Sequence, residues 1–202
     1  MLCPSGCAPL AMDDMPTKFD PDRHHRRSIR LKNYDYTQAG YYYVTVCTRN
    51  RECIFGEIVG GVMHLSEAGR IMQECWDELP NHHSGVRLDA FVVMPNHVHG
   101  IVVLYDDGIR SAVGAQHAVP LQHSQQYNVR PGSLGAILRS FKSAATKRVN
   151  ERHGVPGTPI WQRNYYEHVV RNELQLDFIR TYIVNNPSNW QNDIENPLNS
   201  VV

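Results

Sequence analysis

The apolar positions of this chain repeat with two periods, and the alternation between them predicts most of its elements. Tyr41 to Thr48 (Tyr-Tyr-Tyr-Val-Thr-Val-Cys-Thr) is a β-branched and aromatic run, which predicts a strand. Ile58 to His64 contains Gly60-Gly61, the signature of a short hairpin turn. The period then becomes helical. Ser66 can cap a helix running to about Leu79, with Ile71, Met72, Cys75 and Trp76 on its inner side and Pro80 after it. Val86 to Met94 returns to period two. Val86, Leu88, Ala90, Val92 and Met94 share one face, and Phe91 and Val93 add apolar character to the other, which predicts a central strand. Pro95-Asn96 makes a turn, and His97 to Leu104 follows as the antiparallel neighbour.

Ser133 can cap the next helix, to about Asn150, with Leu134, Ile137, Leu138, Phe141, Ala145 and Val149 as its core stripe. Tyr165 to Val170 reads as a strand. Asn172 can cap a last helix, with Gln175 at the third helical position as in a capping box, and Pro187 ends it. The order is strand, helix, strand, strand, helix, strand, helix. Two helices against an antiparallel sheet, with a third appended, predict an α+β fold of ferredoxin-like or RRM-like type. Residues 1–22 carry four prolines and no periodicity and read as a disordered leader. Residues 23–190 read as one domain, with 106–132 a variable surface loop and 191–202 a tail.

Composition narrows the class. No apolar run approaches a membrane span, and the first residues lack a signal peptide's pattern, so a cytoplasmic protein without a membrane partner is expected. The five cysteines form no CxxC pair, which argues against a disulfide framework or a zinc knuckle; Cys3 and Cys7 in the leader are the remaining metal pair. Formal net charge is zero, but 16 of the 20 basic residues are arginine, the side chain that suits phosphate. Lys18 to Lys32 holds six basic residues against two acidic ones, and Arg26, Arg27 and Arg30 are its candidate nucleic-acid contacts; a solvated tail has the same composition. Arg139, Lys142, Ser143, Thr146 and Lys147 recur on one helical face, cationic with hydroxyls and suited to phosphates, as a plain solvated face would also be.

The chemistry starts at His97-Val98-His99. On a strand, residues i and i+2 point to the same side, so both imidazoles project together and Val98 faces away. Such a pair can hold a divalent metal. On the last helix, Tyr182 and Asn186 are four apart and share a face. Asn186 offers an amide oxygen as a third ligand. Two imidazoles and one amide oxygen leave positions open on Mg²⁺ or Mn²⁺ for phosphate oxygens. Tyr182 offers a phenol that can attack phosphorus. A packed tyrosine and an ordinary C-terminal asparagine would have the same spacing.

Taken in this order, the motifs resemble the REP-associated tyrosine transposases, a branch of the HUH-type single-strand transposases. The matching blocks run from Phe91 to Ile101 (Phe-Val-Val-Met-Pro-Asn-His-Val-His-Gly-Ile), through Phe141-Lys-Ser in the basic helix, from Ile160 to His168 (Ile-Trp-Gln-Arg-Asn-Tyr-Tyr-Glu-His), and from Tyr182 to Pro187 (Tyr-Ile-Val-Asn-Asn-Pro). Ser28 to Tyr36 fits as well, and the resemblance spans residues 24–190. It implies that His97 and His99 are the motif histidines and that Tyr182 is the nucleophile. It implies that Asn186 takes the place of the polar third ligand, a glutamine in insertion-sequence relatives. Tyr165 and Tyr166 are rival nucleophiles in a poorer, strand context, and His168 falls in a motif block without an assigned role. The implied activity is metal-dependent cleavage and rejoining of single-stranded DNA at hairpin-associated, REP-like sites through a 5′-phosphotyrosine, by a monomer or homodimer.

Two other readings stay open on the sequence. One is an RRM-like module that binds a hairpin without cutting it, stacking bases on Tyr41, Tyr42 and Tyr43. The other is a zinc hydrolase built on His97 and His99, against which stand the missing HExxH and the lack of an obvious carboxylate ligand.

Overall fold

The computed structural model describes residue 31 and residues 34–106 and 130–200. Its centre is a four-stranded antiparallel sheet of β1 (Gly40–Cys47), β4 (Val86–Val93), β5 (His97–Leu104) and β6 (Tyr166–Val170), in the order β4-β5-β1-β6. This is the strand order of a ferredoxin-like α+β fold. A separate hairpin, β2 (Gly56–Val59) and β3 (Val62–Leu65), turns at Gly60 and Gly61. Both glycines have positive φ, 58° and 80°, as a tight hairpin turn of the favoured hand requires.

Helices α1 (Glu67–Asp77) and α3 (Leu134–His153) cover one side of the sheet. Their caps are those the sequence predicts: Ser66 accepts from the Gly69 amide and Ser133 from the Ala136 amide. Trp76, Phe141, Ile137 and Leu138 bury there against Tyr42, Val44, Val98 and Val102. Helix α4 (Glu173–Asn185) lies on the other side, with Leu176, Ile179 and Ile183 packed on Ile101 and Val103. Asn172 caps it through the Gln175 amide at 2.9 Å. Gln175 returns its own oxygen to the Arg171 amide, one residue before the cap, which widens the expected capping box.

The structure corrects three expectations. Pro80 does not follow a single long helix: α1 ends at Asp77, and Pro80 lies in the first turn of a short second helix, α2 (Leu79–His82), where proline is tolerated. The strand β4 is at an edge of the sheet, not central. Its two apolar faces are explained by cover on both sides, Phe91 stacking on Trp76 at 4.4 Å while Ala90 and Val92 join the α4 cluster. Its faces also switch. A register shift between Leu88 and Phe91 puts Val86, Leu88, Phe91 and Val93 with the α1/α3 core, and Ala90 and Val92 opposite.

Candidate active site

The Met94-Pro95-Asn96 turn delivers His97 as the first residue of β5, and both histidines are buried. They face α4, while Val98 faces the opposite core, as the alternation requires. The two Nε2 atoms stand 2.9 Å apart. Their other nitrogens are held from behind. Asn96 gives its amide nitrogen to the carbonyls of Arg51 (3.2 Å) and Glu195 (2.7 Å), so its Oδ1 is left to accept from His97 Nδ1 at 2.8 Å. His97 therefore keeps its proton on Nδ1 and presents a bare Nε2. His99 Nδ1 lies 2.8 Å from the Tyr43 hydroxyl and 2.9 Å from Thr45 Oγ1. Burial lowers both imidazoles, His99 to about 3 and His97 well below the usual histidine range, with His99 and Arg51 adding to the shift. Both are neutral at pH 7, the state that ligates metal.

The apolar stripe of α4 sets what faces the histidines. With Leu176, Ile179 and Ile183 locked on the sheet, Tyr182 turns toward the imidazoles, and Asn186 follows one turn later on the same helical face. The Tyr182 ring centroid is 5.3 Å from that of His99 and 6.3 Å from that of Tyr43. Burial, and then the Asp193 charge, push the Tyr182 phenol up to about 12, against hydrogen bonds from Asn186 and Tyr43 that draw it down. At neutral pH this phenol is protonated.

Beyond Pro187 the chain forms a 3-10 helix, Pro187–Asn192, that ends at a residue the sequence reading did not single out. Asp193 is buried, and its Oδ2 is 3.8 Å from His97 Nε2. Burial raises its carboxyl, opposed by the Glu195 amide at 2.6 Å and by Asn186. Among the described residues, His97, His99 and Asp193 form a group whose ligand atoms all lie within 4.8 Å of one another. Asn186 Oδ1 and Asp193 Oδ2 are buried without a hydrogen-bond partner. Two facing imidazole nitrogens and the orphaned Asp193 oxygen are a set of lone pairs that a divalent cation would satisfy, so these residues fit a metal, and the Asn186 oxygen is a further buried acceptor without a partner. Asp193 also supplies the carboxylate whose absence counted against a zinc site. No periodicity marked it, because a 3-10 turn after Pro187, and not a helix face, brings it in.

The structure separates the basic helix from this centre. Helix α3 packs on the far side of the sheet. There Arg139, Ser143 and Lys147 are exposed and line a shallow cleft with Ala136, Ser140 and Ala144. Lys142 turns away from them, donating to the Gln162 carbonyl at 2.6 Å, with its ammonium lowered to about 8 by burial. Thr146 donates back to the Lys142 carbonyl at 2.8 Å. Arg26, Arg27 and Arg30 lie outside the described residues, as do Cys3 and Cys7. His168 acquires a role: it accepts from Gln175 Nε2 at 2.7 Å and ties β6 to the first turn of α4. The three tyrosines of β1 do not make an open stacking surface, since Tyr42 is buried on the far side and Tyr41 and Tyr43 pack with the α4 cluster.

No protein-family model matches the chain. An uncharacterized protein of Haemophilus influenzae is 39% identical over 182 residues, covering 89% of this chain and 97% of its own length. Among solved structures, a REP-associated tyrosine transposase bound to a REP hairpin is similar with a TM-score of 0.49 and 19% identity, over 79% of this chain and 73% of that one. A candidate transposase from Deinococcus radiodurans is similar with a TM-score of 0.41 and 17% identity, over 77% of this chain and 95% of that one. Both scores lie below 0.5, so the functional reading stands on this chain's own residues. Among the described residues, no helix is long and apolar enough to cross a membrane.

Proposed function

The chain belongs to the same family as that Haemophilus influenzae protein, and we propose that it is a transposase that nicks and rejoins single-stranded DNA through Tyr182. The observation that carries this reading is one convergence. The Tyr182 phenol packs against His99, one of two neutral imidazoles whose Nε2 atoms face each other, on an element that also carries a buried, unpartnered Asn186 oxygen, with a second such oxygen on Asp193. The motif resemblance supplies the substrate: a REP-like hairpin in single-stranded DNA.

His97, His99, Asp193 and Asn186 would hold the metal, Mg²⁺ or Mn²⁺. When bound it supplies charge to offset the negative charge that develops on the scissile phosphate. The Tyr182 oxygen attacks phosphorus, the bond from phosphorus to the 3′-oxygen breaks, and a 5′-phosphotyrosine forms. The phenol loses one proton and the departing 3′-oxygen gains one. Because one phosphodiester replaces another, a 3′-hydroxyl can reverse the step without ATP. The rings of Tyr43 and His99 set the position of the Tyr182 ring. Arg139, Ser143 and Lys147 offer a second phosphate contact, on the face away from the cut, where a folded hairpin could be gripped. Arg26, Arg27 and Arg30 complete the proposed DNA contacts, whereas Lys142 and Thr146 spend their polar groups on carbonyls within the protein.

The test is a covalent adduct. Labelled single-stranded hairpin oligonucleotides are incubated with the protein and Mg²⁺ or Mn²⁺, then resolved under denaturing conditions. The wild type should form a protein–DNA band. Tyr182→Phe should lose it by many orders of magnitude, as nucleophile removal does, while still binding the hairpin. Tyr165→Phe and Tyr166→Phe should retain it. Hairpin binding without nicking in the wild type would support the non-cleaving module instead. An adduct that survives in Tyr182→Phe would place the nucleophile elsewhere.

A further inference from the structure

We infer that Tyr43 and Thr45, two residues of β1 outside the matching blocks above, are positioning residues that aim His99 at the metal. The inference rests on the proposed metal site and goes beyond it. β1 pairs with β5 in antiparallel register, Thr45 opposite His99, so the hydroxyls of Thr45 and Tyr43 reach the back of the imidazole. Their oxygens lie 2.9 and 2.8 Å from His99 Nδ1, and Thr45 donates to the Tyr43 oxygen at 3.1 Å. The triangle is closed, and the imidazole cannot rotate without breaking two contacts. An imidazole with its Nδ1 occupied in this way presents Nε2 to the pocket, where the His97 nitrogen already points.

Tyr43 also borders Tyr182, with the two rings edge to face at 88° and their centroids 6.3 Å apart. A merely structural tyrosine would not need the hydroxyl contact to His99, since Tyr43 is already packed with the α4 cluster through its ring. On the other imidazole, Asn96 plays the corresponding part. It also ties down the Arg51 and Glu195 carbonyls, so its removal would not separate aiming from folding.

The experiment measures Mn²⁺ binding directly, by the electron paramagnetic resonance of the free ion, without DNA or turnover. The variants are Tyr43→Phe, Thr45→Val, their double combination and Thr45→Ser. Each keeps the volume at its position close to the original. Loss of both hydroxyls should weaken Mn²⁺ by about 10- to 100-fold, the usual effect of removing an outer partner of a ligand. Each single variant should lose less, since one hydroxyl remains, and Thr45→Ser should bind as the wild type does. Melting of the metal-free proteins should show all four folded. Equal affinity in the double variant and the wild type would overturn the inference and leave the metal site standing. No Mn²⁺ binding by the wild type would overturn both.

Discussion

The two sides of the sheet are built from the same strands and solve different problems. On the side of α1 and α3, the buried groups are almost all apolar: Tyr42, Val44, Val98 and Val102 from the sheet, Met72, Trp76, Ile137 and Phe141 from the helices. On the side of α4, the apolar cluster is small, five fully buried residues, and Thr45, His97, His99, Asn186 and Asp193 are buried beside it. β5 shows the contrast within one strand, since every one of its eight residues is buried. Its inward neighbours on one side hold the fold together. On the other, desolvation keeps imidazoles neutral and a phenol protonated, at a cost in stability that the first side offsets.

The largest effects should therefore be separable by side. His97→Ala removes a group that the apolar core does not need, and metal-dependent cleavage should vanish while the protein stays folded. Trp76→Ala does the reverse. Its indole is 1% exposed, stacked on Phe91 and edge-on to Phe141, and truncation should cost about 3–5 kcal/mol of stability. The residual folded fraction should bind Mn²⁺ as before. Denaturant melts and Mn²⁺ titrations on both variants check this. Loss of Mn²⁺ binding in folded Trp76→Ala, or collapse of His97→Ala, would mean that the two sides are one cooperative unit.

That separation also explains what the sequence made legible. Residue type and periodicity together marked the strands of the sheet, and periodicity and cap residues the three long helices, because burial on one side imposes a period and an orphaned amide demands a cap. It placed His97 with His99 and Tyr182 with Asn186, since i, i+2 on a strand and i, i+4 on a helix are local geometry. It could not place Asp193, which reaches His97 across 96 residues through an irregular turn. Nor could it show Tyr43 and Thr45 behind His99, whose contact depends on the β1/β5 register. The face switch in β4 was hidden because both of its faces are apolar, so alternation alone fits either assignment.

Gly100 sharpens the comparison at a smaller scale. It follows His99 in the motif block, and its own side points at the apolar core. A Cβ there would stand 2.4 Å from the Trp76 ring and 2.9 Å from Phe91. The glycine is required by the indole lying across the strand, not by the chemistry next to it. Gly100→Ala should overpack the core and cost about 1–3 kcal/mol. Paired with Trp76→Leu, which empties the space, the penalty should shrink, so the two changes should be non-additive in denaturant melts. Strict additivity would show that the glycine serves something other than the indole.

The smallest effect concerns how the helix that carries Tyr182 is held. Its outer anchor is polar: Arg180 donates to both Asp89 oxygens, at 2.9 and 2.6 Å, and Asp89 sits where β4 shifts register. The same carboxylate accepts from the Ala90 amide at 2.7 Å, so the irregular strand and the helix share one charge. Hydrogen bonds from Arg180, more than any other cause, hold the Asp89 carboxyl below the usual aspartate range. A carboxyl lowered on folding stabilises fully above its unfolded value, about 3.9, and loses that contribution as pH falls through the lower, folded value. Asp89→Asn keeps the shape and one acceptor but cannot ionise. Its melting temperature should sit slightly below the wild type at pH 7 and converge with it as pH falls below about 4. High salt should narrow the gap at pH 7, because Arg180 is partly exposed to solvent. If the two curves stay parallel through the acid range, the ion pair is not what anchors α4, and the apolar stripe of Leu176, Ile179 and Ile183 holds the helix of Tyr182 unaided.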